Sequence, residues 1–179
     1  MDGEILVFIQ GIFVNESLTP IFAFITHLGN KGMIWIALSV GLLLFKKTRP
    51  IGIMVALALI FSYLINNLML KNLIMRTRPY EVIPAVKLLI EAQHDYSFPS
   101  GHASSSFAAA IAAMRGIRIY GYYEKYKICY YALLTLAIII AFTRLYLGVH
   151  YPTDVMFGIL SGVVIGLFVW KLPLNRFYN

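Results

Sequence analysis

Apolar runs alternate with short polar breaks along the whole chain. Residues 51–70 form the clearest run, matching the ~20 residues a bilayer core requires. Only Asn66 and Asn67 interrupt it, and paired amides near a helix end hydrogen-bond to neighbouring helices. Residues 33–45 form an earlier run that stops at Lys46-Lys47-Thr48-Arg49-Pro50. Later runs cover 101–118, 128–145 and 153–172, parted by a basic tyrosine-rich turn at 121–127 and by Tyr151-Pro152. Gly158, Gly162 and Gly166 recur every four residues in the last run, the spacing of a close helix-packing face. Nearer the start, residues 5–14 are too short to span. Asn15-Glu16-Ser17 then caps residues 18–28, and Gly29-Asn30-Lys31-Gly32 reads as a turn. Residues 5–28 are therefore either one span or an interfacial helix followed by a short span, with His27 a packed or interfacial histidine. The pattern predicts an all-α integral membrane bundle of about six transmembrane helices in a single domain over 1–179, with room for an N-terminal interfacial helix.

Composition strengthens this picture. Sixty per cent of the residues are hydrophobic and 13% charged, too little polar surface for a soluble domain. The single cysteine, Cys129, rules out an intrachain disulfide and argues against a thiolate metal site. A net charge of +7 raises the question of nucleic acid, but the cations stand at the ends of apolar runs, where membrane proteins keep them. If the spans alternate, Lys46, Lys47, Arg49, Arg115, Arg118, Lys125, Lys127, Lys171 and Arg176 share one side. The positive-inside rule makes that side cytoplasmic. The opposite, outer side then collects Lys71, Arg76, Arg78, residues 95–102, Arg144 and His150.

Three clusters on that outer side carry candidate chemistry. Lys71 and Arg78 lie seven residues apart, nearly two helical turns, so a continuous helix points both cations the same way. Ser100-Gly101-His102 follows Pro99 at the start of a predicted helix, where unpaired N–H groups and the macrodipole attract anions. Gly101 admits close approach, and His102 can exchange a proton near neutral pH. In the third cluster, Thr143-Arg144 precedes His150 and Asp154. A four-residue spacing puts the carboxylate under the imidazole on a helical stretch, fixing its tautomer and raising its basicity. Singly, each cluster has a plain structural reading: snorkelling cations, a helix cap, a His–Asp pair. Together they place costly ionisable groups on one face, and a single anion, phosphate in particular, unites them. No carboxylate cluster suited to a metal accompanies them.

The three blocks resemble the signature of the type 2 phosphatidic acid phosphatase superfamily, which includes vanadium haloperoxidases and bacterial lipid phosphatases. Lys71 with Arg78-Pro79, Pro99-Ser100-Gly101-His102, and Arg144 with His150 and Asp154 match in every spacing, and Thr143 replaces the usual serine while keeping a hydroxyl. The resemblance implies that His150 attacks phosphorus to form a phosphohistidine. Asp154 orients it, and His102 protonates the leaving oxygen. Lys71, Arg78, Arg144, the Ser100 hydroxyl and the Gly101 N–H hold the phosphoryl oxygens, with no metal or other cofactor. The implied partner is a membrane lipid, such as undecaprenyl diphosphate, phosphatidylglycerophosphate, phosphatidic acid or a lipid A phosphate, met at the extracytoplasmic face of the plasma membrane. A non-catalytic lipid-phosphate binding or transport protein is the alternative; it needs the cations but not two histidines. Residues 80–98 are expected to shape the mouth of the site, with Lys87 either a contact for a second phosphate or, the favoured reading, an ordinary interfacial lysine.

Overall fold

Lipid offers the backbone no hydrogen bonds, so each buried segment must satisfy its own amides, which a helix does. The computed structural model describes residues 1–171, and among these the apolar runs are helical. The helices are α1 (Asp2–Phe13), α2 (Thr19–Leu28), α3 (Met33–Leu43), α4 (Arg49–Ser62), α5 (Lys71–Ile74), α6 (Pro79–Val82), α7 (Gly101–Ile119), α8 (Lys127–Tyr146) and α9 (Pro152–Phe168). A π-helical stretch, Tyr63–Leu70, joins α4 to α5 without a break. Arg176 and the expected end of the last span at residue 172 lie outside the described residues.

Arg49–Val82 and Lys127–Tyr146 are each long and apolar enough to cross a bilayer; α2 with residues 30–43 makes a third such segment across a 44° bend. With α7 and α9, five rods run between the two ends of the bundle, one fewer than the expected six. The difference lies in residues 5–28. Helix α1 stays at one end throughout: Asp2 bonds to Arg76 and Thr153, and Gln10 donates to the Lys87 and Tyr146 carbonyls at 2.8 and 3.0 Å. Asn15 beyond it meets the Tyr146 hydroxyl. These contacts set α1 apart from the long apolar segments, and α2 continues across the bend into α3 rather than forming a separate long segment. Lys31 and Gly32 make the bend, at φ 52° and 72°. At the opposite end the Tyr122 hydroxyl donates to the Lys47 carbonyl at 3.1 Å and Arg118 lies over Tyr123. The basic loops thus gather there, away from α1.

Helix α7 stands at the centre because its side chains are small. Ala103, Ala108, Ala109, Ala110, Ala112 and Ala113 are all buried, and neighbours approach close to its backbone. Serines on this helix then bind the others to it: Trp35 Nε1 donates to Ser106 Oγ at 2.9 Å, and Ser62 Oγ to Ser104 Oγ at 3.1 Å. Such bonds matter where apolar burial does not favour one helix contact over lipid. Outward-facing Ile138, Met156, Leu160 and Val164 are exposed, as a lipid-facing surface requires.

The glycine stripe of α9 lies against α7. A Cβ at Gly158, Gly162 or Gly166 would stand 2.7, 2.5 or 2.9 Å from the carbonyl oxygen of Ser100, Ser104 or Ala108, at the N-cap of α7 and along it. Gly162→Leu is therefore expected to force the helices apart and to cost about 1–3 kcal/mol, the usual penalty of overpacking. Gly41→Ala, where nothing lies within 4 Å, is the control. The thermal aggregation temperature in detergent should fall sharply for the first and stay unchanged for the second.

Candidate active site

Lys71 and Arg78 do converge, but not along one helical stripe. Helix α5 ends at Ile74, Met75 turns left-handed at φ 51°, and Arg78 is extended before Pro79. The residue before a proline avoids the helical region for steric reasons. The chain reverses instead, and both cations grip the same group, Asp95: Lys71 Nζ bonds to its Oδ2 and Arg78 Nη2 to its Oδ1 at 2.5 Å. Arg78 Nε also donates to the Asp95 carbonyl at 2.8 Å and Nη1 to the Val149 carbonyl at 2.6 Å. Burial alone would raise the Asp95 carboxyl; Lys71 and Arg78 outweigh it and bring the group down to about 2.

His150 and Asp154 are also arranged differently from the expected helical pair. His150 lies in the loop before α9, Tyr151 is the N-cap, and the Asp154 carboxylate turns back to accept from the Tyr151 N–H at 2.9 Å. Nδ1 of His150 is 3.6 Å from Asp154 Oδ2, too far for a good hydrogen bond. Ser97 closes the gap. Its hydroxyl is 3.4 Å from Nδ1 and 2.5 Å from Asp154 Oδ2. A carboxylate only accepts, so Ser97 donates to Asp154 and its lone pair receives the Nδ1 proton. On the other side of the ring, Arg78 Nη1 is 3.5 Å from Nε2. A guanidinium has no lone pair to offer, so Nε2 is the unprotonated nitrogen. Burial first, then the cations of Arg78, Arg144 and Lys71, hold this imidazole neutral, well below its ordinary range.

Asp154, wholly buried, has Arg76 as its counter-charge, with Nη1 2.6 Å from Oδ1. Arg76 forks: Nη2 is 2.7 Å from Asp2, and its guanidinium carbon lies 3.7 Å above the Tyr151 ring. Through Asp2 and Arg76 helix α1 is thus tied to the carboxylate behind His150.

Arg144 and His102 complete the ring from the α2–α3 side. Arg144 is 1% exposed; Nη1 donates to Thr26 Oγ1 at 2.6 Å, and Nε has no partner among the described residues. A buried guanidinium N–H left open is costly unless a ligand fills it. His102 Nε2 is 3.0 Å from Asn30 Oδ1, in the turn between α2 and α3. Gly101 packs against Asn67, whose amide a Cβ there would meet at 2.9 Å.

Lys71, Arg78, Gly101, His102, Arg144 and His150 all line one cavity of about 1070 Å³. Part of its remaining wall is apolar: Ile36, Val40 and Leu43 from α3, and Ala56, Leu59 and Ile60 from α4. A polar chamber rich in cations therefore opens into a greasy groove between two helices. Two of the expected residues stand off its surface. Asp154 is behind His150, and Ser100 is buried as the N-cap of α7, accepting from Ala103 N at 3.5 Å. Lys87 is absent from the lining; its carbonyl is used by Gln10. His27 bonds to the Ala23 carbonyl of its own helix, and Asn66 accepts from Ser161 of α9. The sequence placed Arg76, Asp95 and Ser97 on the outer side without giving any of them a role, and Asn30 was read only as part of a turn. Only Ser97 and Asp95 carried a signal, as polar neighbours of Pro99 in an otherwise apolar chain.

A model of the PAP2 superfamily matches residues 51–178. The undecaprenyl-diphosphatase of Sulfolobus acidocaldarius is 29% identical over 82% of this chain and 66% of its own length. The bacitracin transport permease protein BcrC of Bacillus licheniformis is 32% identical over 74% of this chain and 61% of its own. This chain thus spans just under two thirds of either relative. Among solved structures, the transmembrane PAP2 type phosphatidylglycerolphosphate phosphatase of Bacillus subtilis superposes with a TM-score of 0.77 at 25% identity, covering 97% of this chain and 85% of the other.

Proposed function

This chain belongs to the PAP2 superfamily, and from that membership and the geometry of its cavity we propose that it is a membrane lipid phosphatase working through a phosphohistidine, with no metal. The observation that carries the reading is the convergence of three buried cations and one neutral imidazole at the polar end of a cavity that continues as an apolar groove. Phosphoryl transfer calls mainly for positioning and charge neutralisation. Lys71, Arg78 and Arg144, whose Nε is open, take the phosphoryl oxygens, joined by the N-terminus of α7 at Gly101. Ser100 supports that terminus from behind.

Nε2 of His150 attacks phosphorus; the P–N bond forms as the P–O bond to the lipid breaks. His102, at the other wall, gives its proton to the departing oxygen. It then takes a proton from water, which attacks phosphorus and releases phosphate and free His150. Asp154 acts through Ser97, stabilising the Nδ1 proton as charge builds on the ring. The lipid chain lies between α3 and α4. Undecaprenyl diphosphate and phosphatidylglycerophosphate are the substrates that the archaeal relative and the Bacillus subtilis structure suggest. The basic loops at the opposite end support a cavity facing the outer side of the plasma membrane, and we read residues 1–179 as one domain.

Purified protein with EDTA present should release phosphate from prenyl diphosphate or glycerophospholipid phosphates, and a panel of both ranks them. Absence of release from any of them overturns the enzymatic reading in favour of the carrier that the Bacillus licheniformis relative's name suggests. The Ser97 bridge gives a second test. Ser97→Ala leaves a gap between His150 and Asp154, and kcat should fall about 10- to 100-fold, the scale of a ~1.5–3 kcal/mol hydrogen bond to a charged group. KM should change little, because Ser97 does not face the cavity.

A further inference from the structure

We propose that Asp95 is a built-in competitor for the phosphate cradle: it yields to a doubly charged phosphoryl group and excludes the singly charged phosphodiesters of the surrounding bilayer. This rests on reading the cavity as a phosphoryl site. The Asp95 carboxylate spans two of the three cradle cations, with Oδ2 on Lys71 and Oδ1 2.5 Å from Arg78. It therefore stands where ligand oxygens must go. Lys71 and Arg78 are buried, whereas the Asp95 side chain is 53% exposed, so the carboxylate is the partner free to leave. The loop that bears it is held by bonds to its backbone that do not involve the carboxylate. Arg78 Nε donates to the Asp95 carbonyl, and the Ser97 N–H donates to the Arg76 carbonyl at 2.8 Å. The side chain can turn outward while the loop stays in place.

Charge decides what can displace it. A phosphodiester carries one negative charge, as Asp95 does. Exchanging one for the other gains nothing from the cations, and the tethered anion keeps the advantage of its high effective concentration. A phosphate monoester, or the terminal group of a diphosphate, carries about −1.5 to −2 at neutral pH and so draws up to twice the Coulomb attraction. A site open to the head-group layer faces diesters in great excess, and Asp95 supplies discrimination by charge without a contact to the rest of the head group.

The test uses the full chain in detergent at pH 8, with methyl phosphate (dianion) and dimethyl phosphate (monoanion) as competitors of radiolabelled orthophosphate in equilibrium dialysis. Wild type should bind orthophosphate and lose it to methyl phosphate, with dimethyl phosphate at least about 100-fold weaker, a gap of two factors of ten in affinity. Asp95→Asn keeps the size and loses the charge. It should bind orthophosphate about tenfold tighter or more and admit dimethyl phosphate to within about tenfold of methyl phosphate. Equal or weaker orthophosphate binding by the variant, or continued exclusion of dimethyl phosphate, overturns the role of Asp95. If the variant does not fold, wild type decides alone: dimethyl phosphate competing as well as methyl phosphate overturns it. Wild type that takes up no orthophosphate removes the cradle itself, and the proposal with it.

Discussion

Exchange of His150 for alanine is expected to lower lipid-phosphate turnover by at least about 10⁴-fold, the scale on which loss of a nucleophile is felt in other hydrolases. No second group stands ready to replace it. Its Nε2 is the unprotonated nitrogen beside Arg78, and its Nδ1 is engaged by Ser97. Of the other two histidines that line the cavity, His102 bonds to Asn30 and His94 is exposed. Lys71, Arg78 and Arg144 remain in the variant, so equilibrium dialysis should still find orthophosphate bound. Loss of turnover with retention of binding separates a nucleophile from a binding residue, and single-turnover kinetics with a labelled lipid phosphate measures it. A variant that keeps wild-type turnover assigns the chemistry to another group.

His102→Ala carries the second large effect, a loss of about 10²–10⁴-fold in kcat on a lipid substrate, the range general acid–base groups supply. The loss should depend on the leaving group. A lipid alkoxide needs a proton to depart, whereas p-nitrophenolate departs readily without one. With an aryl phosphate the first step is therefore nearly restored, while hydrolysis of the intermediate, which needs His102 as base, stays slow. A burst of nitrophenol followed by slow turnover is the expected signature, and a first step slowed as much for the aryl phosphate as for the lipid, with no burst, would assign His102 a structural role.

The sequence marked helix starts well where proline and glycine punctuate the chain. Helix α7 begins at Gly101, directly after Pro99-Ser100, and α9 at Pro152, against an expected start at Thr153 or Asp154. Its shortfall at the N-terminus came from length: residues 5–14 are apolar whether they lie across a membrane end or enter it, and only the contacts of Asp2 and Gln10 place α1. The spacings of Lys71 with Arg78 and of His150 with Asp154 pointed to residues that do meet, but each pair meets by a route the helical period does not describe. Both routes depend on a proline, Pro79 in one and Pro152 in the other. Proline restricts the residue before it to extended backbone, so both departures were legible in local terms. The supporting contacts were not. Asp2 reaches Thr153 from the far end of the chain, and nothing in a local pattern says that Arg76 turns to Asp154 while Arg78, two residues on, turns to Asp95. Such choices are made by packing.

The central claim is a covalent bond between His150 and phosphorus. Enzyme mixed with a lipid substrate ³²P-labelled in its terminal phosphate and quenched in alkali within the first turnovers tests it directly. The mechanism requires label on the protein that survives base, is lost in acid, maps to the peptide bearing His150 and is absent from His150→Ala. Turnover with no label on the protein, or label that persists in His150→Ala, contradicts it.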